Sequence, residues 1–535
     1  MPRTDLALAL CLAGLTAVSR VPFRARLLPS WDAIQFALAL HEYDVVKHQP
    51  HPPGYILYVA LARLVALATG DATIALTWLA LGASAVAVFL VYHLAWRLYG
   101  RPTAVAAAVG LATSPLFWFY GEVGLSYAIE AMLATTVAVL AWPMREGRRA
   151  FAGWSALALG VAGGARQSVL FLLLPLWLAS ARMGLGGWRP VFPSLAVVGL
   201  VTAAWFVPMV WLAGGLGRYG AAAAELFDST VRPTTIVGAP GAWRINASGL
   251  GEALVLAVGV LLPILVVGLA IALARLPRWD ARAWFFAAWI VPSLAVYQLV
   301  HFGQYGYLLT ILPAVYILLA RGLVGASPAP ARRWAAAVVI GVAGLVHAAF
   351  FTSAPPIEVP GLFAAAPGAQ GWATSLRARY RFRLWPTTAR GLREQEAVIV
   401  TYVEGVRRHF EARDTVLVTE LGNPRSYPWF RHVGYYLPGF AVYHLRLGPF
   451  SPGYLASRVG GAMAALDGPE ILLPPPTRHL VWVVDYWNPG LPRPPGLREE
   501  PLPYGRWLYT LDVERRVVEH GGYRFTPATA VVRLR

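Results

Sequence analysis

Residues 30–55 read SWDAIQFALALHEYDVVKHQPHPPGY and concentrate ionisable side chains in a chain that otherwise has few of them. The ionisable residues of this segment are Asp32, His41, Glu42, Asp44, Lys47, His48 and His51. Charged groups are costly at membrane depth, so a charged loop between apolar helices predicts a functional site. This interpretation requires that the flanking apolar runs be long enough to span a bilayer.

The composition of the whole chain is typical of an integral membrane protein. Of the 535 residues, 57% are hydrophobic and 13% are charged, against about 25% charged in soluble domains. Apolar runs of about 20 residues recur between Leu6 and Phe351. The net charge of +18 would favour nucleic-acid binding in a soluble chain. Most arginines between Arg97 and Arg333 lie in short loops between apolar runs, so membrane topology accounts for them and no nucleic-acid partner is expected.

The apolar runs predict about eleven transmembrane helices. They lie at 5–20, 74–96, 103–119, 127–143, 151–165, 168–182, 191–213, 252–275, 283–300, 305–321 and 334–352. Placing the arginine-rich loops in the cytoplasm makes residues 53–70 an interfacial helix on the outer surface. The sequence thus predicts an integral protein of a bacterial cytoplasmic membrane, with the 22–73 loop and the C-terminal region outside.

Arg20, Arg24 and Arg26 are exceptions, because this topology places them outside. They either meet anionic headgroups or a lipid phosphate, or they only anchor the end of the first helix.

The composition changes after Phe351. Pro355, Pro356 and Pro360 interrupt the helical pattern, and the density of charged residues rises. A helix is predicted at 386–412, and strands are predicted at 415–419, 440–447, 479–485, 507–513 and 528–534. The expected organisation is an α-helical transmembrane module at 1–353 and an extracytoplasmic α/β domain at 354–535.

Asp32 is the first candidate catalytic residue. It follows Ser30 and Trp31 at a helix start, where a carboxylate complements the helix dipole. The alternative role is that of a general base, since a positioned carboxylate that takes a proton from a hydroxyl accelerates a reaction roughly 10²–10⁴-fold. Glu42 and Asp44 are the competing carboxylates of the same loop.

The segment from His48 to Tyr55 combines two histidines with prolines and a glycine. Pro52 and Pro53 restrict φ ahead of the interfacial helix, which is a structural role. In the alternative, His48 or His51 contacts a phosphate or hydroxyl of a substrate. The two histidines with Asp44 match no common metal-ligand spacing, and the chain has no Asp-x-Asp motif, so neither a metal nor another cofactor is expected, although a divalent ion is not excluded.

Asp32 followed by His51-Pro-Pro-Gly-Tyr55 resembles the first outer loop of the polyprenyl-phosphate-sugar-dependent glycosyltransferases of the GT-C superfamily. The similarity is to the protein O-mannosyltransferase and aminoarabinose-transferase type. Supporting segments are 97–102 (RLYGRP), 114–122 (SPLFWFYGE) and 306–313 (GYLLTILP). The resemblance covers about residues 1–350, and residues 355–535 are similar only to the outer α/β domains of some members.

The resemblance implies transfer of one sugar, with inversion, from an undecaprenyl- or dolichyl-phosphate carrier to an acceptor hydroxyl on the outer membrane face. Asp32 matches the first-loop acid of this superfamily. Some relatives read Glu-Val-Tyr where this chain has Leu125-Ser-Tyr127, with Glu122 three residues before and Glu130 three residues after. Glu122 is the candidate second acid, and the alternative is ordinary solvation of a helix end.

The departing lipid phosphate needs fixed positive partners. Arg166, between two predicted spans, is the best candidate, and its alternative role is that of a helix cap. Arg218 and Arg244 are weaker candidates, and His301, Gln304 and Tyr305 resemble the last donor-site turn of the superfamily.

Two other classes of function remain open at this point, a flippase or transporter for a lipid-linked glycan and a non-catalytic membrane subunit. The helix middles are nearly uncharged, which argues against a transporter. The identity of the sugar, and the choice among lipid, polysaccharide and protein as acceptor, are also open.

Overall fold

The structure is a computed structural model that describes residues 1–274, 279–325, 330–356, 380–423, 426–447, 456–459, 462–465, 468–513 and 516–528. Residues 3–353 are mostly helical. The helices are α1 (Arg3–Arg20), α2 (Trp31–His41), α3 (Ile56–Thr69), α4 (Ala72–Tyr99), α5 (Arg101–Thr113), α6 (Pro115–Tyr120), α7 (Tyr127–Arg145), α8 (Ala150–Ala165), α9 (Gln167–Gly184), α10 (Phe192–Leu212), α11 (Leu216–Leu226), α12 (Ala242–Val258), α13 (Leu262–Ala274), α14 (Ala281–Leu299), α15 (Leu312–Gly325) and α16 (Pro330–Ser353).

Seven helical segments within the described residues are long and apolar enough to cross a membrane. They are Arg3–Phe23, Ala72–Tyr99, Tyr127–Arg145, Gln167–Gly184, Arg189–Leu212, Ala242–Ala274 and Ala336–Ser353. Each of the eleven predicted ranges overlaps a helix, but α5, α8 and α15 have 13, 16 and 14 residues, fewer than the about 20 that span a bilayer. The prediction of a polytopic helical membrane protein is confirmed.

Helices α4 and α7 lie at the centre of the bundle. Helix α4 packs against α1, α3, α5 and α7, and α7 also packs against α8 and α9. The buried positions of α4 are rich in small side chains, among them Ala75, Ala80, Ala83, Ser84 and Ala87. Small residues let helix backbones approach closely, which is how helices associate where no water drives them together.

Helix α3 occupies the predicted interfacial segment. Tyr58 and Val59 are buried, whereas Leu64 and Leu67 on the other face are 64% and 83% exposed. A short helix with one apolar face exposed suits the surface layer of a membrane.

The C-terminal region contains α17 (Ala389–His409) and α18 (Phe430–Tyr436) together with ten strands. The strands are β1 (Thr415–Leu421), β2 (Ala441–Arg446), β3 (Ala456–Val459), β4 (Ala462–Ala465), β5 (Glu470–Leu473), β6 (His479–Trp482), β7 (Arg498–Leu502), β8 (Arg506–Asp512), β9 (Val518–His520) and β10 (Tyr523–Pro527). They form a seven-stranded sheet of order β4-β3-β2-β1-β6-β8-β7 and a three-stranded sheet of order β5-β10-β9.

The central strand β1 pairs in parallel with β2 and β6, and α17 packs its apolar face on this sheet. The α/β character, the helix and the first four predicted strands are therefore confirmed. The fifth predicted strand, 528–534, lies outside the described residues apart from its first position. The outer strand β7 escaped prediction because its sequence, REEPL, is largely polar and exposed.

Candidate active site

Asp32 lies in the first turn of α2, where its carboxylate meets a residue from the far end of the membrane region. Gln304 Nε2 donates a hydrogen bond of 2.8 Å to Asp32 Oδ2. The N-cap of α2 is Ser30, which makes no side-chain capping bond. The Asp32 side chain is 26% exposed. This carboxylate is therefore oriented by Gln304 and still accessible to a substrate.

His51 is the second residue of the charged loop that approaches Asp32, with 3.8 Å between Nδ1 and the nearer carboxylate oxygen. Its Nδ1 lies 2.6 Å from Gln35 Oε1 and its Nε2 lies 3.1 Å from the Tyr55 hydroxyl. Because an amide oxygen only accepts, Nδ1 is assigned the proton and Nε2 accepts from Tyr55. Burial lowers the pKa of His51, while Asp32 opposes this shift, so the imidazole is neutral at pH 7.

The turn between His51 and α3 is fixed by Gly54 and Tyr55. Gly54 has φ +114°, and a side-chain carbon there would lie 2.6 Å from Met209 Sδ. The Tyr43 hydroxyl donates 2.6 Å to the Gly54 carbonyl. Only glycine tolerates both the left-handed backbone and the close approach. The turn therefore combines two roles. It fixes the backbone ahead of α3, and it directs His51 and Tyr55 toward Asp32.

Arg166 joins α8 to α9 and its side chain is 9% exposed. Its Nη1 donates 3.0 Å to Ser126 Oγ, and its Nε lies 3.2 Å from Ser168 Oγ and 3.0 Å from Glu130 Oε2. Glu130, in the first turn of α7, is itself 1% exposed and also accepts a hydrogen bond from Thr310. The guanidinium is therefore held in one plane by several acceptors.

Aromatic rings enclose Arg166. Its guanidinium carbon lies 4.4 Å, 5.0 Å and 5.7 Å from the ring centres of Tyr127, Tyr307 and Tyr55. Cations are attracted to aromatic faces at such distances. Burial raises the pKa of Tyr55, with Arg166 opposing the increase and Asp32 adding to it. Tyr55 is therefore close enough to both Asp32 and Arg166 to respond to the charge of each.

Glu122, the predicted second acid, is placed beside another arginine. It is fully buried, and burial raises its pKa well above the usual value, with Arg20 the main opposing influence. Arg20 is itself buried over the rings of Phe117 and Trp118. The acid that contacts Arg166 is Glu130. The sequence does contain a signal for Glu130. It lies in the first turn of α7, the helix that begins at Tyr127, which is the last residue of the Leu125-Ser-Tyr127 segment.

The remaining candidates of the first loop shape the loop itself. Glu42 pairs with Lys47, and Asp44 Oδ1 accepts 2.9 Å from the backbone N–H of Val46. His48 is buried with φ +57°, and burial lowers its pKa to about 3. Among the described residues, no hydrogen bond or ion pair joins Glu42 or Asp44 to Asp32.

The other predicted donor-site residues are dispersed. His301 Nδ1 lies 2.7 Å from Thr234 Oγ1, and burial lowers the pKa of His301 to about 4. The Tyr305 hydroxyl bonds to Glu252. Arg218 is exposed on α11, and Arg244 is exposed with its guanidinium 5.4 Å from the Trp243 ring. Of this group, Gln304 is the residue that the structure brings to Asp32.

The segment that leads into Asp32 is held by α17, a contact that sequence reasoning missed. Glu396 Oε1 accepts hydrogen bonds of 2.6 Å and 3.1 Å from the backbone N–H groups of Arg26 and Leu27. Arg393 Nη2 donates 2.7 Å and 2.8 Å to the carbonyls of Phe23 and Arg24. These four backbone groups have no partners in a helix or sheet and are satisfied by α17 instead.

Residues in and just before α18 hold the next part of the same segment. The Tyr436 hydroxyl accepts 2.8 Å from Leu28 N–H, and His432 Nε2 donates 3.1 Å to the Pro29 carbonyl. Trp31 Nε1 donates 2.5 Å to the carbonyl of Pro428. The C-terminal region thus fixes the chain from Phe23 to Trp31, immediately before Asp32.

No group of three or more His, Cys, Asp or Glu side chains within the described ranges is arranged to hold a metal ion.

No protein-family model matches the sequence. No curated protein matches it either. Among solved structures, the chain is similar to ArnT from Cupriavidus metallidurans bound to undecaprenyl phosphate, with 14% identity, a TM-score of 0.49 and coverage of 84% of this chain and 87% of ArnT. It is also similar to the archaeal oligosaccharyltransferase AglB from Archaeoglobus fulgidus in complex with an inhibitory peptide and a dolichol-phosphate, with 15% identity, a TM-score of 0.42 and coverage of 81% and 63%.

Proposed function

We propose that this protein is an integral-membrane glycosyltransferase that moves one sugar from a polyprenyl-phosphate carrier to an acceptor hydroxyl, with inversion. The observation that carries the proposal is that Asp32 and Arg166 both lie close to Tyr55. Asp32 reaches Tyr55 through His51, and Arg166 lies against the Tyr55 ring. An accessible base and a buried cation a few side chains apart are what transfer from a phosphate leaving group needs.

Asp32 acts as the general base in this proposal. The acceptor oxygen bonds to the anomeric carbon of the sugar while the bond from that carbon to the phosphate oxygen breaks. The hydroxyl proton passes to Asp32, and the electron pair leaves with the lipid phosphate. Gln304 orients the carboxylate through Oδ2. Burial keeps His51 neutral. The Asp32 carboxylate is therefore not paired with a positively charged imidazole and is available to the acceptor proton.

Arg166 receives the departing phosphate in this proposal. Its neighbours Tyr127 and Tyr307 keep water away, which strengthens its attraction for an anion. Glu130 and Ser126 fix the direction of the Arg166 guanidinium. A bound phosphate would contact the guanidinium alongside Glu130.

We further assign residues 1–353 to the membrane module and residues 354–535 to an extracytoplasmic α/β domain, in a bacterial cytoplasmic membrane. The hydrogen bonds from α17 and α18 to the segment before Asp32 require both regions to lie on the same side. The arginine-rich loops at the opposite helix ends support an outer position for that side.

The test uses purified full-length protein in liposomes that contain a polyprenyl-phosphate sugar labelled in the sugar. Covalent transfer of label to an added membrane extract supports the proposal. Movement of labelled lipid between leaflets without transfer would instead make the protein a flippase. If the protein is folded by size exclusion but shows neither sugar transfer nor lipid movement, it would be a non-catalytic subunit.

A further inference from the structure

A cavity of about 570 Å³ lies where the N-terminal bundle meets the C-terminal region, and it is separate from the Asp32 site. Three parts of the chain line it, the segment after α1, the start of α4, and the region around α17 and α18. The residues that matter for its chemistry are Arg24, Arg26, Asp71, Arg407, Tyr435 and Tyr436. A volume of about 300–1,000 Å³ is typical of small-molecule sites.

The cavity carries an excess of positive charge. Arg26 is exposed, and among the described residues its side chain has no carboxylate partner. Arg24 donates 2.8 Å to Thr77 Oγ1 and lies 5.8 Å from the ring centre of Trp78, also without a described carboxylate partner. Two of the arginines that line the cavity therefore form no ion pair with a described carboxylate.

The acidic groups nearby do not balance the three arginines. Asp71 lines the cavity and its charge offsets that of one arginine, while its Oδ1 also caps α4 by accepting 2.7 Å from Ile74 N–H. Glu396 is occupied by Arg393 and by the backbone of Arg26 and Leu27. Glu404 pairs at 3.4 Å with Arg407. The cavity is therefore suited to an anion, and arginine forks match the oxygens of a phosphate better than those of other common anions.

The cavity lies beside the start of a helix that is long and apolar enough to cross a membrane. Asp71 immediately precedes α4, one of the helices that is long and apolar enough to span a bilayer. Trp78, stacked near Arg24, is 41% exposed, as expected for an aromatic residue at a membrane surface. The neighbouring α3 exposes Leu64 and Leu67. A phosphate in this cavity would therefore be level with lipid headgroups.

We propose that Arg24, Arg26 and Arg407 form a binding site for a phosphate group at the membrane surface, with Tyr435 and Tyr436 as its polar wall. The site goes beyond the proposed glycosyl transfer, since binding here requires neither Asp32 nor Arg166. Two sources share this chemistry, the headgroup of an anionic lipid and a soluble phosphate.

The test is native mass spectrometry of the full-length protein in detergent, with short-chain phosphatidylglycerol as the probe and short-chain diacylglycerol as the phosphate-free control. The wild type is expected to retain phosphatidylglycerol and not diacylglycerol. Arg24→Gln/Arg26→Gln is expected to weaken retention at least about tenfold, because it removes two charge-assisted contacts. The matched control is Arg408→Gln, which removes one positive charge from an exposed position next to Arg407 but outside the cavity lining.

Inorganic phosphate serves as the competitor. Displacement of the lipid by inorganic phosphate alone identifies a soluble phosphate as the ligand, and retention in its presence identifies a lipid headgroup; both support the site. Equal retention of phosphatidylglycerol by the wild type and the double variant overturns it. If size exclusion shows that the double variant is misfolded, lipid retention by Arg26→Gln is compared with that of the wild type instead. This single variant is suitable because the Arg26 side chain is exposed and bonds to no described group.

Discussion

Gln304 Nε2 lies 2.8 Å from Asp32 Oδ2, so a turn before α15 orients a carboxylate at the start of α2. This bond joins two segments that the sequence separates widely. It also leaves Asp32 Oδ1 on the side of His51. The orientation of the proposed base therefore depends on a residue outside the charged loop.

The role of Gln304 can be tested by Gln304→Ala. Loss of its amide frees the Asp32 carboxylate to rotate, so we expect kcat to fall about tenfold with a smaller change in KM, since one hydrogen bond to a charged group is lost. Steady-state transfer kinetics measure both. Gln298→Ala is the control, because Gln298 donates 2.8 Å to the Trp243 carbonyl instead. Equal kinetics for Gln304→Ala and the wild type would remove Gln304 from the site.

The buried pair of Arg166 and Glu130 predicts a non-additive effect on stability. Glu130→Gln leaves the guanidinium buried without its counter-ion, and we expect a loss of about 3–5 kcal/mol in the free energy of unfolding. Arg166→Gln/Glu130→Gln removes both charges and is expected to recover part of that loss while transfer activity stays abolished. Thermal unfolding in detergent, read beside activity, checks this. A double variant less stable than either single variant would contradict the pairing.

The contact of α17 with the segment before Asp32 predicts a local effect of Glu396→Ala. Two backbone N–H groups lose their acceptor, so we expect faster hydrogen exchange in residues 23–31 and a loss of about 1–3 kcal/mol. Hydrogen exchange followed by mass spectrometry resolves the segment. Glu394→Ala is the control, because Glu394 pairs with Arg381 instead. Unchanged exchange in residues 23–31 would show that Glu396 does not hold this segment.

Two histidines outside the membrane spans, the buried His48 and the half-buried His301, predict a loss of stability at low pH. Burial lowers the pKa of His48 to about 3 and of His301 to about 4, from an ordinary value of about 6.5. Below pH of about 6.5 the unfolded chain binds protons that the folded chain cannot, so each group reduces the unfolding free energy by about 1.4 kcal/mol per pH unit until its folded pKa is reached.

The unfolding temperature measured between pH 7.5 and pH 5 checks this expectation. His301→Gln is expected to flatten the decline. An unfolding temperature that stays constant or rises as the pH falls would contradict the assignment of neutral buried histidines.

The part of the site that could be predicted from sequence rests on local chemistry. Asp32, His51 and Tyr55 share one charged loop between apolar helices, so their proximity follows from the chain itself. Arg166 and Gln304 lie in short polar turns between helices, and turns at the same end of a bundle converge. The helical module and the sheet followed from apolar periodicity in the same way.

The parts that escaped prediction depend on helix rotation and on distant contacts. Glu122 and Glu130 are eight residues apart near one helix start, and only the packing of α7 shows that Glu130 contacts Arg166 while Glu122 lies within the electrostatic influence of Arg20. The bonds of Glu396 and His432 to the segment before Asp32 cross more than half the chain. No periodicity within either segment encodes such a pairing.

The most direct test of the proposed mechanism compares sugar transfer by the wild type, Asp32→Asn and Asp44→Asn in the liposome assay. Asp32→Asn keeps the size of the side chain but cannot accept the acceptor proton, so we expect the rate to fall roughly 10²–10⁴-fold. Asp44→Asn retains an oxygen for the loop N–H groups and is expected to remain active. Transfer by Asp32→Asn at the wild-type rate would contradict the assignment of Asp32 as the base and, with it, the proposed mechanism.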